Sequence, residues 1–324
     1  MGPASYFRNG VYMTEKKLPV LVKGAAGSLV RDYQLWLMIL PAIAVIFIFN
    51  YLPMYGVQLA FRDFNFAKGF LGGDWAGLKY FRQFFRSPMF FATIRNTFVI
   101  AATSIGLGFP APILMALLFN QIMGKKVKKF LQTVVYVPYF ISTVVMVALI
   151  RILCSPNNGI VSHALKAIGL IAQDVNLVGN VGTFVPLYVL SGIWQSCGWN
   201  SIIYFAALSA VDSQLYDAAK IDGANRLRII WHIDLATLVP TIVILLILNM
   251  GNILTVGFEK VYLMQNDLNL PVSEVISTYT YKIGLASNQF SLGSAIGLFN
   301  TAVNFVFLSL FNVIAKKTSD ISLL

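Results

Sequence analysis

The chain has 324 residues, 57% of them hydrophobic and 11% charged, with a mean hydropathy of +0.73. Ordinary soluble domains carry about 25% charged residues, so this composition excludes a protein whose main solvent is water. The formal net charge of +11 is read as basic loops beside apolar spans, with no nucleic acid among the partners.

A bilayer-spanning helix needs about 20 mostly apolar residues, because unpaired backbone groups are costly in hydrocarbon and a helix satisfies its own. Six such stretches occur, at residues 33–55, 90–119, 130–153, 181–207, 239–258 and 292–314. Residues 1–32 read as a cytoplasmic segment: they hold Arg8, Lys16, Lys17 and Lys23 but no apolar core of a signal peptide. The membrane domain then covers 33–315, and residues 316–324 form a cytoplasmic tail. The short alternating segments of a β-barrel are absent. The fold expected is therefore an all-α polytopic membrane protein of about six transmembrane helices.

Lys and Arg in short loops near helix ends set orientation. The N-terminal segment, the loop with Lys125, Lys126, Lys128 and Lys129, the loop with Lys220, Arg226 and Arg228, and the tail with Lys316 and Lys317 outweigh the opposite set, in which the third loop offers Arg151 and Lys166 and the fifth only Lys260 and Lys282. Both termini are expected in the cytoplasm. The first loop, with Arg62, Lys68, Lys79, Arg82, Arg86 and Arg95, opposes this count. It is placed outside because the 125–129 cluster is denser and nearer its helix ends. Its stretch KYFRQFFRSPMFF mixes basic and aromatic residues, the pattern of an amphipathic helix lying in the membrane interface.

Within the spans, Pro110 and Pro112 should break or kink the second. Gly293 with Gly297, and Ala102 with Gly106, have the spacing that lets helices approach closely. Cys154 and Cys197 form neither a CxxC nor a Cys/His cluster, which argues for packing roles and against a metal site. His163 and His232 are the only histidines and fall in separate loops, so no catalytic set is evident.

The fourth loop, 212–240, is different in kind. From Tyr216 it reads YDAAKIDGANRLRIIWHIDLATLVP. Asp212 or Ser213 can cap a helix, with Asp217 in its first turn against the helix dipole. Ala218 and Ala219 let another surface come close, and Gly223 ends or bends the helix where a larger residue would be strained. Leu227, Ile230 and Ile233 or Asp234 then fall at helical spacing, with Arg226 and Arg228 available to an acidic partner. A helix, a glycine break and a second helix make a protruding knob, suited either to docking a partner or to an interfacial linker.

This segment resembles the EAA loop of ABC importer permeases: Glu-Ala-Ala, three residues, Gly, nine residues, Ile, one residue, Leu-Pro. Asp217, Ala218, Ala219, Gly223, Ile233 and Leu235 stand in register with it. Asp217 replaces Glu and keeps the charge, while Ala236 replaces the proline. Further stretches, YLPMYGVQLAFRDFN (51–65), GLKYF (77–81), RNT (95–97), GFEKVYLMQN (257–266) and FSLGSAIGLFN (290–300), resemble the LplB-like group of these permeases. Within it the chain is most similar to permease subunits of alginate importers. The resemblance implies a type I permease fold in a bacterial inner membrane and a role as half of a translocation pathway for oligo- or polysaccharide, alginate included. It implies a coupling helix formed by Asp217, Ala218, Ala219, Asp222, Gly223, Arg226, Arg228, Ile233 and Leu235. The implied partners are a second permease, two ATPase subunits carrying ATP and Mg, and a solute-binding protein, which could meet the external loop 259–285.

No GxxxxGK[ST] occurs, so this chain is expected to hold no cofactor and to perform no catalysis. Amides inside spans face the bundle interior or a water-filled path. Asn249 and Asn252, with Gln195, Asn200 and Asn300, are the candidate pathway residues for sugar hydroxyls, beside Trp194 for stacking, and each could instead bond a neighbouring helix. An ion-gradient-driven transporter would need an acidic residue deep in a span. A non-transporting scaffold would leave the capped, glycine-broken knob unexplained.

Overall fold

The computed structural model describes residues 33–69, 72–122, 124–170 and 175–319. The N-terminal segment 1–32 with its basic residues, and the end of the tail, lie outside them. The chain divides into two compact units, Met1–Tyr55 and Gly56–Leu324. The described part of the first is a helix, α1 (Tyr33–Ile46), prolonged by a π-turn at Phe47–Tyr51 and a last turn at Leu52–Met54. None of these side chains is buried.

The second unit holds α2 (Lys79–Phe85), α3 (Met89–Gly108), α4 (Pro110–Asn120), α5 (Lys125–Tyr136), α6 (Thr143–Leu153), α7 (Ile160–Ala167) and α8 (Val181–Ser209). It continues with α9 (Ser213–Ile221), α10 (Arg226–Ile229), α11 (Leu235–Met250), α12 (Phe258–Met264), α13 (Leu270–Ser273), α14 (Ile276–Thr280) and α15 (Phe290–Ser319). No strand occurs among the described residues.

Among the described residues, four helices are long and apolar enough to cross a bilayer: Tyr33–Phe61, Met89–Asn120, Arg226–Met250 and Phe290–Lys317. Against the six stretches read from the sequence, three differ in form. The stretch at 130–153 is a broken one, Lys125–Phe140 meeting Thr143–Leu153 at 98°. Pro138 tightens Val137–Phe140 into a 3₁₀ turn, Ile141 is extended, and the Ser142 side chain caps α6 by accepting the Val145 N–H. Second, α8 is 29 residues long yet falls short of those helices in apolarity, because Ser191, Gln195, Ser196 and Asn200 lie along it. Third, the fifth span runs from Arg226 to Met250 and not 239–258, so Asn252 lies in a turn beyond the helix. In the second span Pro110 and Pro112 have no N–H to donate, yet the chain does not break: Phe109 between α3 and α4 keeps helical φ of −72° and ψ of −42°, and its N–H donates to the Ile105 carbonyl.

At the centre is α8, packed against α3, α4, α5 and α11. A methyl group on Gly198 would lie 2.2 Å from the Val135 carbonyl oxygen, so α5 and α8 touch backbone to backbone. Gly293 makes the same kind of contact with Gly284, whereas Gly297 and Gly106 face open space. Cys154 and Cys197 are buried and free.

Two loop expectations also change. The amphipathic stretch of the first loop is α2, and Phe84 on it is 1% exposed, packed on Phe90, Phe299 and Tyr279. The helix is thus fastened to the protein and does not merely rest in the interface. Beside it the Asp63 carboxylate accepts hydrogen bonds from Lys79 (2.8 Å) and Tyr80 (2.5 Å), which hold its pKa below the ordinary value and raise that of Lys79.

The segment 259–285, expected as an external loop, is sunk into the protein. Val261, Met264, Val275 and Ile276 belong to the main hydrophobic core. The Asn96 amide donates to the carbonyls of Pro271 and Glu274, and the Ile276 N–H donates to Thr97. The Asn269 amide donates to Val178 and Met264. Asn96 and Thr97 of the RNT stretch thus stitch α3 to this segment.

Candidate functional site

A cavity of about 880 Å³ opens beside α8, within the usual range of ligand sites, roughly 300–1,000 Å³. One wall is α3 and α4 around the proline break, with Ser104, Gly108, Phe109 and Pro112; the opposite wall is α11, with Leu245 and Asn249. Along α8 it is lined from Tyr188 to Tyr204, including Gln195, Trp199 and Asn200.

Of the candidate pathway residues, Gln195, Asn200 and Asn249 therefore come together. Gln195 also donates to the Ile141 carbonyl at 2.8 Å, satisfying backbone freed by the bend before α6. Trp194, Asn252 and Asn300 do not line the cavity. Trp194 is one residue around the helix from Gln195 and 53% exposed. Asn252 is turned back onto the Leu248 carbonyl, and Asn300 sits on α15, which packs against α11 but contributes no residue to the cavity lining.

One charged side chain lines the cavity, Lys260 of α12, a residue the hydropathy reading counted only as a loop charge. It is 9% exposed. Its Nζ donates to the Tyr188 carbonyl at 2.9 Å and stands 4.7 Å from the centre of that ring. Gly192 gives it room, since a methyl there would come within 3.3 Å of Nζ. Burial pushes the Lys260 pKa down to about 8.

On the far side of α8 the chain turns out into the knob. The Asp212 side chain caps α9 by accepting the Gln214 N–H at 2.9 Å. Asp217 lies in the second turn and not the first, where it pairs with Lys220 at 3.0 Å. At the end of α9, Gly223 has φ +76°. Its N–H donates to the Lys220 carbonyl and that of Ala224 to the Ala219 carbonyl, the paired closure that a left-handed glycine permits. Asn225 then caps α10 by accepting the Arg228 N–H. Ala218, Asp222, Arg226 and Arg228 are exposed, while Ala219, Ile233 and Leu235 are half-buried.

A node missed from the sequence ties the knob to the cavity walls. Asp234 is fully buried at the end of a π-turn, Ile230–Asp234, that leads into α11. It accepts hydrogen bonds from Tyr216 of α9 (2.7 Å), from Asn120 at the end of α4 (3.1 Å) and from Gln121 (3.1 Å). Burial, then the bond to Asp234, raises the Tyr216 phenol to about 12, so it remains a donor. A buried carboxylate needs such donors. Here they come from α9 and from the end of α4, while Asp234 itself leads into α11, and both α4 and α11 wall the cavity.

Comparison with known proteins agrees with this architecture. Residues 108–320 match the family described as binding-protein-dependent transport system inner membrane component. The chain is 42% identical over 310 residues to the polygalacturonan/rhamnogalacturonan transport system permease protein YteP of Bacillus subtilis, covering 96% of this chain and 94% of that one. It is 37% identical to protein LplB of the same organism, with 94% and 96% covered. A crystal structure of a bacterial ABC transporter involved in import of the acidic polysaccharide alginate superimposes with a TM-score of 0.82 at 36% identity, covering 91% of this chain and 99% of the other. The chain belongs to the family of inner-membrane components of binding-protein-dependent transport systems, the non-enzymatic permease subunits of ABC transporters.

Proposed function

We propose that this chain is one of two permease subunits of an ATP-driven importer of acidic oligo- or polysaccharide, alginate among them, in a bacterial inner membrane. The relative named for polygalacturonan and the structure named for alginate share uronate chemistry. The cavity is one side of the translocation path, completed by a related permease. A solute-binding protein delivers the saccharide outside, and two ATPase subunits, which hold ATP and Mg, dock on the knob from the cytoplasm, the side of both termini.

The observation that carries this reading is the Asp234 node. The knob presents apolar side chains to solvent, Ile221 at 86% and Leu227 at 75% exposure, between charged neighbours that keep the segment out of lipid. Closure of the ATPase pair moves α9. Through Tyr216 and Asp234 that movement reaches α4 and α11 together, which shifts both cavity walls between two states.

The test is co-purification with the ATPase and partner permease, combined with binding-protein-stimulated ATP hydrolysis. Gly223→Pro cannot adopt φ +76°, because proline fixes φ near −65°, and Asp217→Lys reverses an exposed charge. Each should release the ATPase while the partner permease stays bound. Full coupling in both variants would sink the docking assignment.

A further inference from the structure

We infer that Lys260 is the cationic subsite of the cavity and takes the carboxylate of a uronate residue as an acidic saccharide passes along α8. This rests on the importer reading above and names the residue within the permease that reads substrate charge. No Asp or Glu lines the cavity, and no ion pair joins Lys260 to a carboxylate among the described residues. An ammonium so placed is expensive to keep dry, and burial without a counter-ion marks a functional site more often than a structural one. The Tyr188 carbonyl occupies one of its three N–H donors. The other two remain for an anion, which would stand in the cavity that Gln195 and Asn200 of α8 and Asn249 of α11 also line. Those amides can both donate to and accept from sugar hydroxyls, and Trp199, stacked on Tyr139 at 4.6 Å, offers a rigid aromatic edge. The set suits a polyhydroxylated chain with a carboxylate at intervals.

The competing role is a clamp holding α12 to α8. A neutral amide would serve that role equally well, so the two separate on charge. The experiment reconstitutes the whole importer, with its second permease, ATPases and binding protein, in proteoliposomes. It measures uptake of a short alginate oligosaccharide and of the same oligosaccharide with its carboxylates reduced to alcohols. Lys260→Gln, and Lys260→Met as a second variant, should lower Vmax/KM for the acidic oligosaccharide about tenfold or more, the scale of losing one partner of a desolvated charge pair. Stimulation of ATP hydrolysis by the binding protein should be kept, and any uptake of the reduced oligosaccharide should stay level. Lys260→Arg should restore most of the acidic uptake. Equal loss for both oligosaccharides, no loss for either, or failure of both neutral variants to assemble would make Lys260 a clamp and overturn the inference. A wild type that imports neither oligosaccharide would instead overturn the saccharide reading, and this inference with it.

Discussion

Two connections leave the cavity-lining helices, and they solve opposite problems. The one after α8, through α9 to α10, turns its apolar side chains outward: Ile221, Leu227 and Trp231 are 86%, 75% and 68% exposed. The one after α11, through α12 to α14, turns them inward, with Val261, Met264, Val275 and Ile276 at 2% exposure or less. Both are built from short helices, so secondary structure does not separate them. Polar bonding does. The inward connection is crossed by long-range bonds from Asn96, Thr97 and Asn269 to distant backbone. The outward one is closed on itself by local caps and reaches the rest of the protein chiefly at Asp234. A segment stitched along its length moves with its helices, whereas one held at a single node can take a push from outside and deliver it at that node.

The largest expected stability effect lies in the inward connection. Asn269 is fully buried and bonds the carbonyls of Val178 and Met264, while also accepting from Ser273. Asn269→Leu leaves these groups without partners in a place water does not reach, at a cost of about 3 kcal/mol. The thermal unfolding midpoint of the detergent-solubilised protein should fall and the folded yield with it. An unchanged midpoint would mean that the connection is held by apolar packing alone.

At the node the expected effect is intermediate and splits between two readouts. Asp234→Asn keeps the shape but exchanges a charged acceptor for a neutral one, weakening bonds from Tyr216, Asn120 and Gln121 by about 1–2 kcal/mol in total. Stability should drop modestly, whereas ATP hydrolysis stimulated by the binding protein should drop severalfold with the ATPase still bound. Normal stimulation would remove Asp234 from the transmission path and leave it a packing feature.

What could be read from sequence follows the range of the interactions involved. Gly223, Asp212 and Asn225 act within a turn of themselves, and their residue types announce the geometry. The bend before α6 had its signals too, in Pro138 and Ser142, but a hydropathy window registers composition and not direction. The node was out of reach because Asn120 and Asp234 are 114 positions apart. Lys260 was misjudged for a different reason. Charge counting treats residues between spans as wetted, and the stretch FEKVYLM gives no sign that its lysine turns back against Tyr188 and Gly192. The central place of α8 was out of reach for the same reason as the node: the stretch 181–207 counts as one span among six, and its packing against α3, α4, α5 and α11 is set by residues far along the chain.

The smallest expected effect on the chain's own stability comes from the outward connection, and there the contrast is sharpest. Ile221 is 86% exposed at the last position of α9, so Ile221→Asp removes no burial from the isolated subunit. Surface changes of this kind stay within about 0.5 kcal/mol, and the unfolding midpoint should not move. If the knob is a docking surface, the same substitution places a charge where a partner closes over apolar atoms, and desolvating it without a counter-ion should release the ATPase from the purified complex. The two readouts together decide the matter. A lowered midpoint would show that Ile221 is covered by this chain itself, contrary to the exposed position described. An unmoved midpoint with the ATPase retained would mean that the outward connection is only a linker, and that the contrast with 258–286 is one of burial without consequence for coupling.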